Sequence, residues 1–162
     1  MIAPDRATRL QHARDLAWTA LNRRDRTMAE MARLLARRRV EPALIDEVVG
    51  ELVEQGYLDD ARYARRFAED RRRLDAWGSD RIERRLRAVG VAGDHIRAAL
   101  QGAGGEDELE AALALLRRRF PDPPSTPRDC QRALGMLVRK GYELELAHDA
   151  LRRHAGVAWI EE

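Results

Sequence analysis

The chain has 162 residues and a mass of 18.5 kDa, 44% of them apolar and only 5% aromatic, which suits one domain or a short string of small modules. Charged residues reach 36%, but 30 Lys and Arg against 28 Asp and Glu leave a net charge of +2, so the chain is no uniformly basic nucleic-acid coat. No run approaches the ~20 apolar residues of a membrane span, and the opening residues lack a signal-peptide apolar segment. The one cysteine, Cys130, rules out an internal disulfide and a thiolate zinc site, so a reducing cytoplasm is expected.

In chain order, apolar residues recur with helical spacing. Ala13, Leu16, Ala17, Ala20 and Leu21 form a first stripe. Thr27 with Glu30 is a capping box, in which each side chain satisfies the other's free backbone donor, and it opens a helix carrying Met28, Met31, Leu34 and Leu35. Pro42, at a first-turn position, opens a third helix with Leu44, Ile45, Val48, Val49, Leu52 and Val53 in one stripe. Asp59 and Asp60 favour a helix start ahead of Ala64, Phe67, Ala68 and Leu74. Ser79 is the expected cap for Ile82 and Leu86, and Gly93 and Asp94 precede a short helix with Ile96, Ala99 and Leu100. After the Gly102-Ala103-Gly104-Gly105 connector come Leu109, Ala112, Leu113, Leu116 and Phe120. Thr126, Pro127 and Asp129 join a cap, an N1 proline and an acidic N3 ahead of Cys130, Ala133, Leu134, Leu137 and Val138. Leu144, Ala147 and Leu151 close the series. β-Branched residues are few and never alternate with polar ones, so an all-α fold of nine helices is expected.

These helices repeat. Leu35, Leu86 and Leu137 stand at equal intervals of 51 residues, and the same offset aligns Met31, Ile82 and Ala133, then Ile45, Ile96 and Ala147. It also aligns Val40, Val91 and Tyr142, each preceded by the column Arg39, Gly90 and Gly141. Glycine there ends the middle helix in a left-handed cap, so the Arg39 turn is expected to be strained or built differently. Three tandem three-helix repeats follow: residues 1–56, an arginine-rich 57–102, and 103–162 with a short tail. Units of ~50 residues have little core of their own, so an elongated, curved molecule is expected, with hinges at Gly56 and at Gly102 to Gly105.

Charge concentrates in the middle repeat, with eleven arginines and eight acids between Gly56 and Gly102. Two arginine-bearing helices of one module make a basic surface that tracks phosphates or an acidic partner; singly, each arginine also fits a solvated helix face with i,i+4 partners. The candidate contacts for a partner or DNA are Arg62, Arg65, Arg66, Arg71, Arg72, Arg73, Arg84, Arg85 and Arg87, with Tyr63 and Trp77 as aromatics that carry a polar handle. Trp159, beyond the last helix, either folds back or contacts something else. Cys130 sits on an apolar face, where a small hydrophobe is expected rather than a nucleophile. His12, His95, His148 and His154 show no metal-ligand spacing. No catalytic, cofactor or metal site is expected.

Leu58-Asp59-Asp60-Ala61-Arg62-Tyr63-Ala64-Arg65-Arg66-Phe67, the arginine run and Trp77-Gly78 closely resemble the signature segment of the RecX family, bacterial regulators of the RecA recombinase. Ile82, Leu86, Gly90, Val91, Ile96 and Leu100 continue the match, and Leu113 to Phe120 with Leu137 to Tyr142 look like the family's third unit. The resemblance covers roughly residues 13 to 153 and is loosest in the first repeat, where Arg39 replaces glycine. It implies three tandem three-helix repeats and a non-enzymatic role: binding the RecA–DNA filament, restraining its growth, and damping strand exchange, ATPase and SOS co-protease activity in DNA repair and recombination. The partners implied are the RecA filament and single- or double-stranded DNA, with no membrane, and the chain is expected to be a monomer. Two alternatives stay open, a stand-alone helical DNA binder and a helical adaptor for another protein.

Overall fold

The computed structural model describes residues 2–102 and 104–156, so Trp159 and the rest of the 157–162 tail lie outside the described residues, as does Ala103 of the glycine-rich connector. Among the described residues the chain is all-α. The first repeat holds α1 (Arg6–Arg23), α2 (Met28–Arg37) and α3 (Pro42–Glu54). The second holds α4 (Asp60–Asp75), α5 (Ser79–Ala88) and α6 (Gly93–Leu100), and the third α7 (Gly105–Arg119), α8 (Pro127–Lys140) and α9 (Leu144–His154). Two compact units result: residues up to Ala64 together with Leu86–Ile96, and Arg65–Arg85 together with residues from Arg97 onward.

Local chemistry accounts for most helix starts. Thr27 and Glu30 form the capping box, with Glu30 N–H donating to Thr27 Oγ1 at 3.1 Å and Thr27 N–H to Glu30 Oε1 at 3.2 Å. Thr126 caps α8 through Asp129 N–H at 3.1 Å, with Pro127 at N1. Asp59 accepts Arg62 N–H at 3.0 Å ahead of α4. Two starts differ from the sequence reading. Helix α1 begins upstream of its apolar stripe, because Asp5 accepts Thr8 N–H at 2.8 Å and holds a first turn that buries only Leu10. Ser79 is not the cap of α5 but its first helical residue, and its N–H is taken by Glu108, 2.5 Å away.

In the first unit α1, α2 and α3 pack mutually around Ala13, Ala17, Met31, Leu35, Leu44, Val48 and Leu52. In the second unit α7, α8 and α9 close around Leu109, Ala112, Leu116, Ala133, Leu137, Tyr142 and Ala147. The 51-residue columns are core columns: Leu35, Leu86, Leu137, Met31, Ile82 and Ala133 are each 0% exposed. Leu74 and Leu144, read as members of apolar stripes, are instead exposed.

The period extends to the backbone. Val40, Val91 and Tyr142 donate their N–H to Leu35, Leu86 and Leu137 at 3.0, 3.0 and 3.1 Å, closing the same left-handed turn at the end of each middle helix. Its pivot is Arg39 at φ 63°, Gly90 at φ 86° and Gly141 at φ 100°. Arg39 is therefore strained, the first of the two outcomes its sequence column leaves open. The turn also receives the start of the preceding middle helix. Thr27 Oγ1 donates to Val89 O at 2.6 Å, and 51 residues on, Gly78 N–H donates to Lys140 O at 2.8 Å. An acid from the following repeat takes the next amide: Met28 N–H meets Asp60 at 2.9 Å and Ser79 N–H meets Glu108.

Glycine at the pivot thus serves two ends. A Cβ on Gly141 would lie 2.6 Å from Arg81 N, and one on Gly90 would overlap Ala29 Cβ. Around Arg39, by contrast, the carbonyls of Arg38 and Arg39 accept no hydrogen bond among the described residues. Left-handed strain and overpacking together predict that Gly141→Ala and Gly90→Ala each destabilise by about 2–4 kcal/mol. Arg39→Gly relieves strain at some cost in unfolded-chain entropy and should stabilise by about 0.5 kcal/mol. Urea unfolding of the three variants checks this; a Gly141→Ala chain as stable as the parent refutes the packed turn.

Candidate functional site

The signature segment of the second repeat ends in a cluster built on Trp77. Arg81 lies over the indole with its guanidinium carbon 4.1 Å from the ring centroid. Arg71 lies 5.9 Å from the same ring and 5.7 Å from Phe67, and pairs with Asp75. Phe67 meets Trp77 edge-on at 6.0 Å. The helix spacing explains the grouping: Phe67, Arg71 and Asp75 are successive i,i+4 neighbours on α4, and Arg81 enters from the first turn of α5.

This cluster sits against the end of α8. Ala76 turns the chain at φ 55°, a conformation costly for a residue with a Cβ. Its carbonyl accepts the Tyr142 hydroxyl at 2.9 Å, and the Asp75 carbonyl accepts Lys140 Nζ at 2.9 Å. Arg81 donates to Arg139 O at 3.3 Å. Gly78 must be glycine here, since a Cβ would lie 2.6 Å from Tyr142 N. Trp77-Gly78 therefore fastens the second repeat to the turn of the third. Burial, then the charge of Glu108, pushes the Tyr142 phenol up to about 12. Burial and the neighbouring Glu108 and Glu83 likewise raise the Asp80 carboxyl.

The eleven candidate contact residues separate by environment. Arg71 and Trp77 belong to the packed cluster. Arg72 is half-buried and donates to Leu100 O at 3.3 Å. Arg62 donates to Gly56 O at 2.8 Å beside Asp59. Tyr63 is half-buried, while Arg65, Arg66, Arg73, Arg84, Arg85 and Arg87 are exposed. Arg73 has Asp70 at 3.7 Å and Arg84 Nε reaches only its own helix, at Asp80 O. Arg81 was missed as a partner of Trp77, although the cation four residues after the indole is the local signal for it. A second aromatic pair was missed altogether. Trp18 of the first repeat and Tyr57, at the start of the second, meet edge-on at 4.5 Å and stay 37% and 51% exposed. Trp18 lines the same recess as the paired Arg14 and Glu51, whose two hydrogen bonds of 2.9 and 2.7 Å hold the Glu51 carboxyl below its usual range.

The remaining reactive side chains are dispersed. Cys130 is half-buried with Sγ 3.6 Å from Pro124 O. His154 Nε2 lies 2.7 Å from Phe120 O. His148 and His95 are both exposed. Among the described residues no group of three His, Cys, Asp or Glu converges on a metal position, and no helix is long and apolar enough to cross a membrane.

The Tyr142 shift has a definite sign. Its folded value lies above the ordinary ~10, so the stability it contributes is intact below pH ~10 and is lost as pH rises toward 12. Absorbance titration at 295 nm should show one of the three tyrosines ionising last, near 12. Tyr142→Phe removes that step and leaves the Ala76 carbonyl without its donor, at about 1–3 kcal/mol. Three tyrosines titrating together near 10 in the folded chain would contradict the buried phenol.

Comparison with known proteins places these features. Residues 13–52, 59–100 and 106–151 match the profiles described as RecX first, second and third three-helix domains. A protein named Regulatory protein RecX from Leptothrix cholodnii is 35% identical over 129 residues, 80% of each chain. One of the same name from Halorhodospira halophila is 37% identical over 130 residues, again 80% of each. The crystal structure of RecX from Lactobacillus salivarius superposes with a TM-score of 0.82 at 18% identity, covering 93% of this chain and 99% of the other, which speaks for the fold. With all three domains matched in order around the Trp77-Gly78 junction, the chain belongs to the RecX family of regulatory proteins.

Proposed function

We propose that this chain acts without catalysis by binding the RecA recombinase filament on DNA and restraining its growth, which lowers strand exchange, ATPase and SOS co-protease activity. The observation that carries the reading is the match of all three family domains, in order and over most of the chain. The physical arrangement suits it. Three linked repeats bring several weak contacts into one molecule, and each engaged repeat raises the effective concentration of the next. Exposed arginines of the second repeat supply the contact to the filament or its DNA, with Arg65, Arg73, Arg84 and Arg85 at its centre. Arg71 and Trp77 support that surface from beneath. We further propose that the chain works as a monomer in the cytoplasm, with its repeats divided near Gly56 and Gly102.

The test is titration onto RecA-coated single-stranded DNA with ATPase turnover as a second readout. The parent chain should bind and slow turnover. Arg65→Glu, Arg73→Glu and Arg85→Glu combined should weaken inhibition by at least about tenfold, with a salt dependence shallower than the parent's. Undiminished inhibition by a folded triple variant removes the second-repeat surface from the reading. Failure of the parent chain to bind the filament removes the reading itself.

A further inference from the structure

The third repeat carries a groove of about 520 Å³ that none of the second-repeat arginines lines. It is lined by Arg119 at the end of α7, by Arg128, Arg132 and Arg139 along α8, and by the half-buried Phe120 and Met136. The four arginines are exposed. In the first repeat, by comparison, Arg6, Arg9, Arg14 and Arg24 each hold a glutamate at 2.5–2.8 Å. Here the lining contains no carboxylate. Arg132 has Asp129 at 3.6 Å, and that aspartate is already engaged with the Thr126 hydroxyl. Among the described residues Arg119, Arg128 and Arg139 have no acidic partner.

The spacing identifies the kind of anion. Positions 128, 132 and 139 fall within about 40° of one another around α8 and span about 16 Å along its axis. A single phosphate needs guanidiniums that converge, whereas this row suits a chain of anions laid along the helix. Arginine keeps its charge at any working pH and grips phosphate oxygens in pairs. The lining also holds what a polypeptide of carboxylates does not use, the ring of Phe120, half-buried against the third-repeat core, and an aromatic beside arginines is the pairing on which single strands are held by stacking. A duplex, whose major groove alone is ~12 Å wide, does not enter such a recess. We propose that this groove binds single-stranded nucleic acid, its arginines on successive phosphates and Phe120 against a base. The site is separate from the second-repeat surface and does not depend on the recombinase reading, because the strand is held by this chain alone.

Fluorescence anisotropy of a labelled oligothymidylate with the full chain, and no recombinase present, tests it. Three phosphate contacts on a single strand give a log–log salt slope near −2, or about a fifteenfold loss of affinity between 50 and 200 mM salt. Arg128→Glu, Arg132→Glu and Arg139→Glu combined should reduce affinity by about tenfold or more at low salt. Arg23→Glu, Arg37→Glu and Arg38→Glu, an equal change of charge on exposed first-repeat positions, should leave it within about twofold. Phe120→Leu, which keeps the packing volume, should weaken binding several-fold with an unchanged salt slope. Circular dichroism melting confirms that each variant is folded. Equal loss in both triple variants means diffuse charge attraction and overturns the proposal, as does absence of oligothymidylate binding by the parent chain. Tighter binding of a labelled polyglutamate peptide than of the oligonucleotide reassigns the groove to an acidic protein segment and overturns it too. Loss of recombinase inhibition in the second-repeat variant, with oligothymidylate binding intact, keeps the two sites distinct.

Discussion

The left-handed turn that ends each middle helix is the point on which the rest of this molecule depends. A helix that stops leaves carbonyls without partners, and here the outward-facing ones become the acceptors for the next piece of structure. Val89 O takes the Thr27 hydroxyl, and Lys140 O and Gly141 O take the Gly78 and Asp80 amides at 2.8 and 3.0 Å. Helix starts need acceptors and helix ends need donors, so one contact cures two deficits. Because the pairing recurs at the repeat period, the chain gains the same joint twice without a large apolar interface. Small modules of this size bury too little surface to stand alone, and directional bonds between their helix ends fix the register that hydrophobic burial, being non-directional, leaves loose.

The arginines divide between two tasks that composition does not separate. Arg81 and Arg71 spend their planar faces on Trp77 and Phe67 and so belong to the joint. Four of the ten first-repeat arginines hold glutamates, with Arg14 and Glu51 in a two-bonded fork. Exposed guanidiniums with no carboxylate partner among the described residues remain on every repeat, Arg37, Arg65 and Arg128 among them. A net charge of +2 is compatible with locally cationic surfaces, because the 28 acids are spread over all three repeats and leave places such as the lining of the third-repeat groove without a carboxylate.

Much of this was legible in the residues. Helix starts at Thr27, Pro42 and Thr126 follow from local capping chemistry, and core columns at 31, 82 and 133 or 35, 86 and 137 follow from a period that packing must respect. The Arg39 column, lacking the glycine of the other two, left a strained turn or a differently built one open, and φ 63° decides for strain. Contacts between residues far apart in the chain left no such trace. Ser79 looks like a cap in its own neighbourhood, yet Glu108, 29 residues later, claims its amide. Leu74 and Leu144 carry helical spacing and still face water, since spacing names a face but not which face finds a neighbour. The Trp18–Tyr57 pair joins the first helix to the turn after the third, and neither residue's local context announces the other.

Arg39 also bears on how such a chain can be rearranged. Wherever a repeat receives the start of its predecessor, the pivot must lack a side chain, as at Gly90 and Gly141. The opening repeat carries a methylene at that spot, so a duplicate of it spliced into an interior position would jam the incoming helix. Shuffling or lengthening the array is open only to copies descended from the glycine-bearing modules, and the order of the three is written into a single missing carbon.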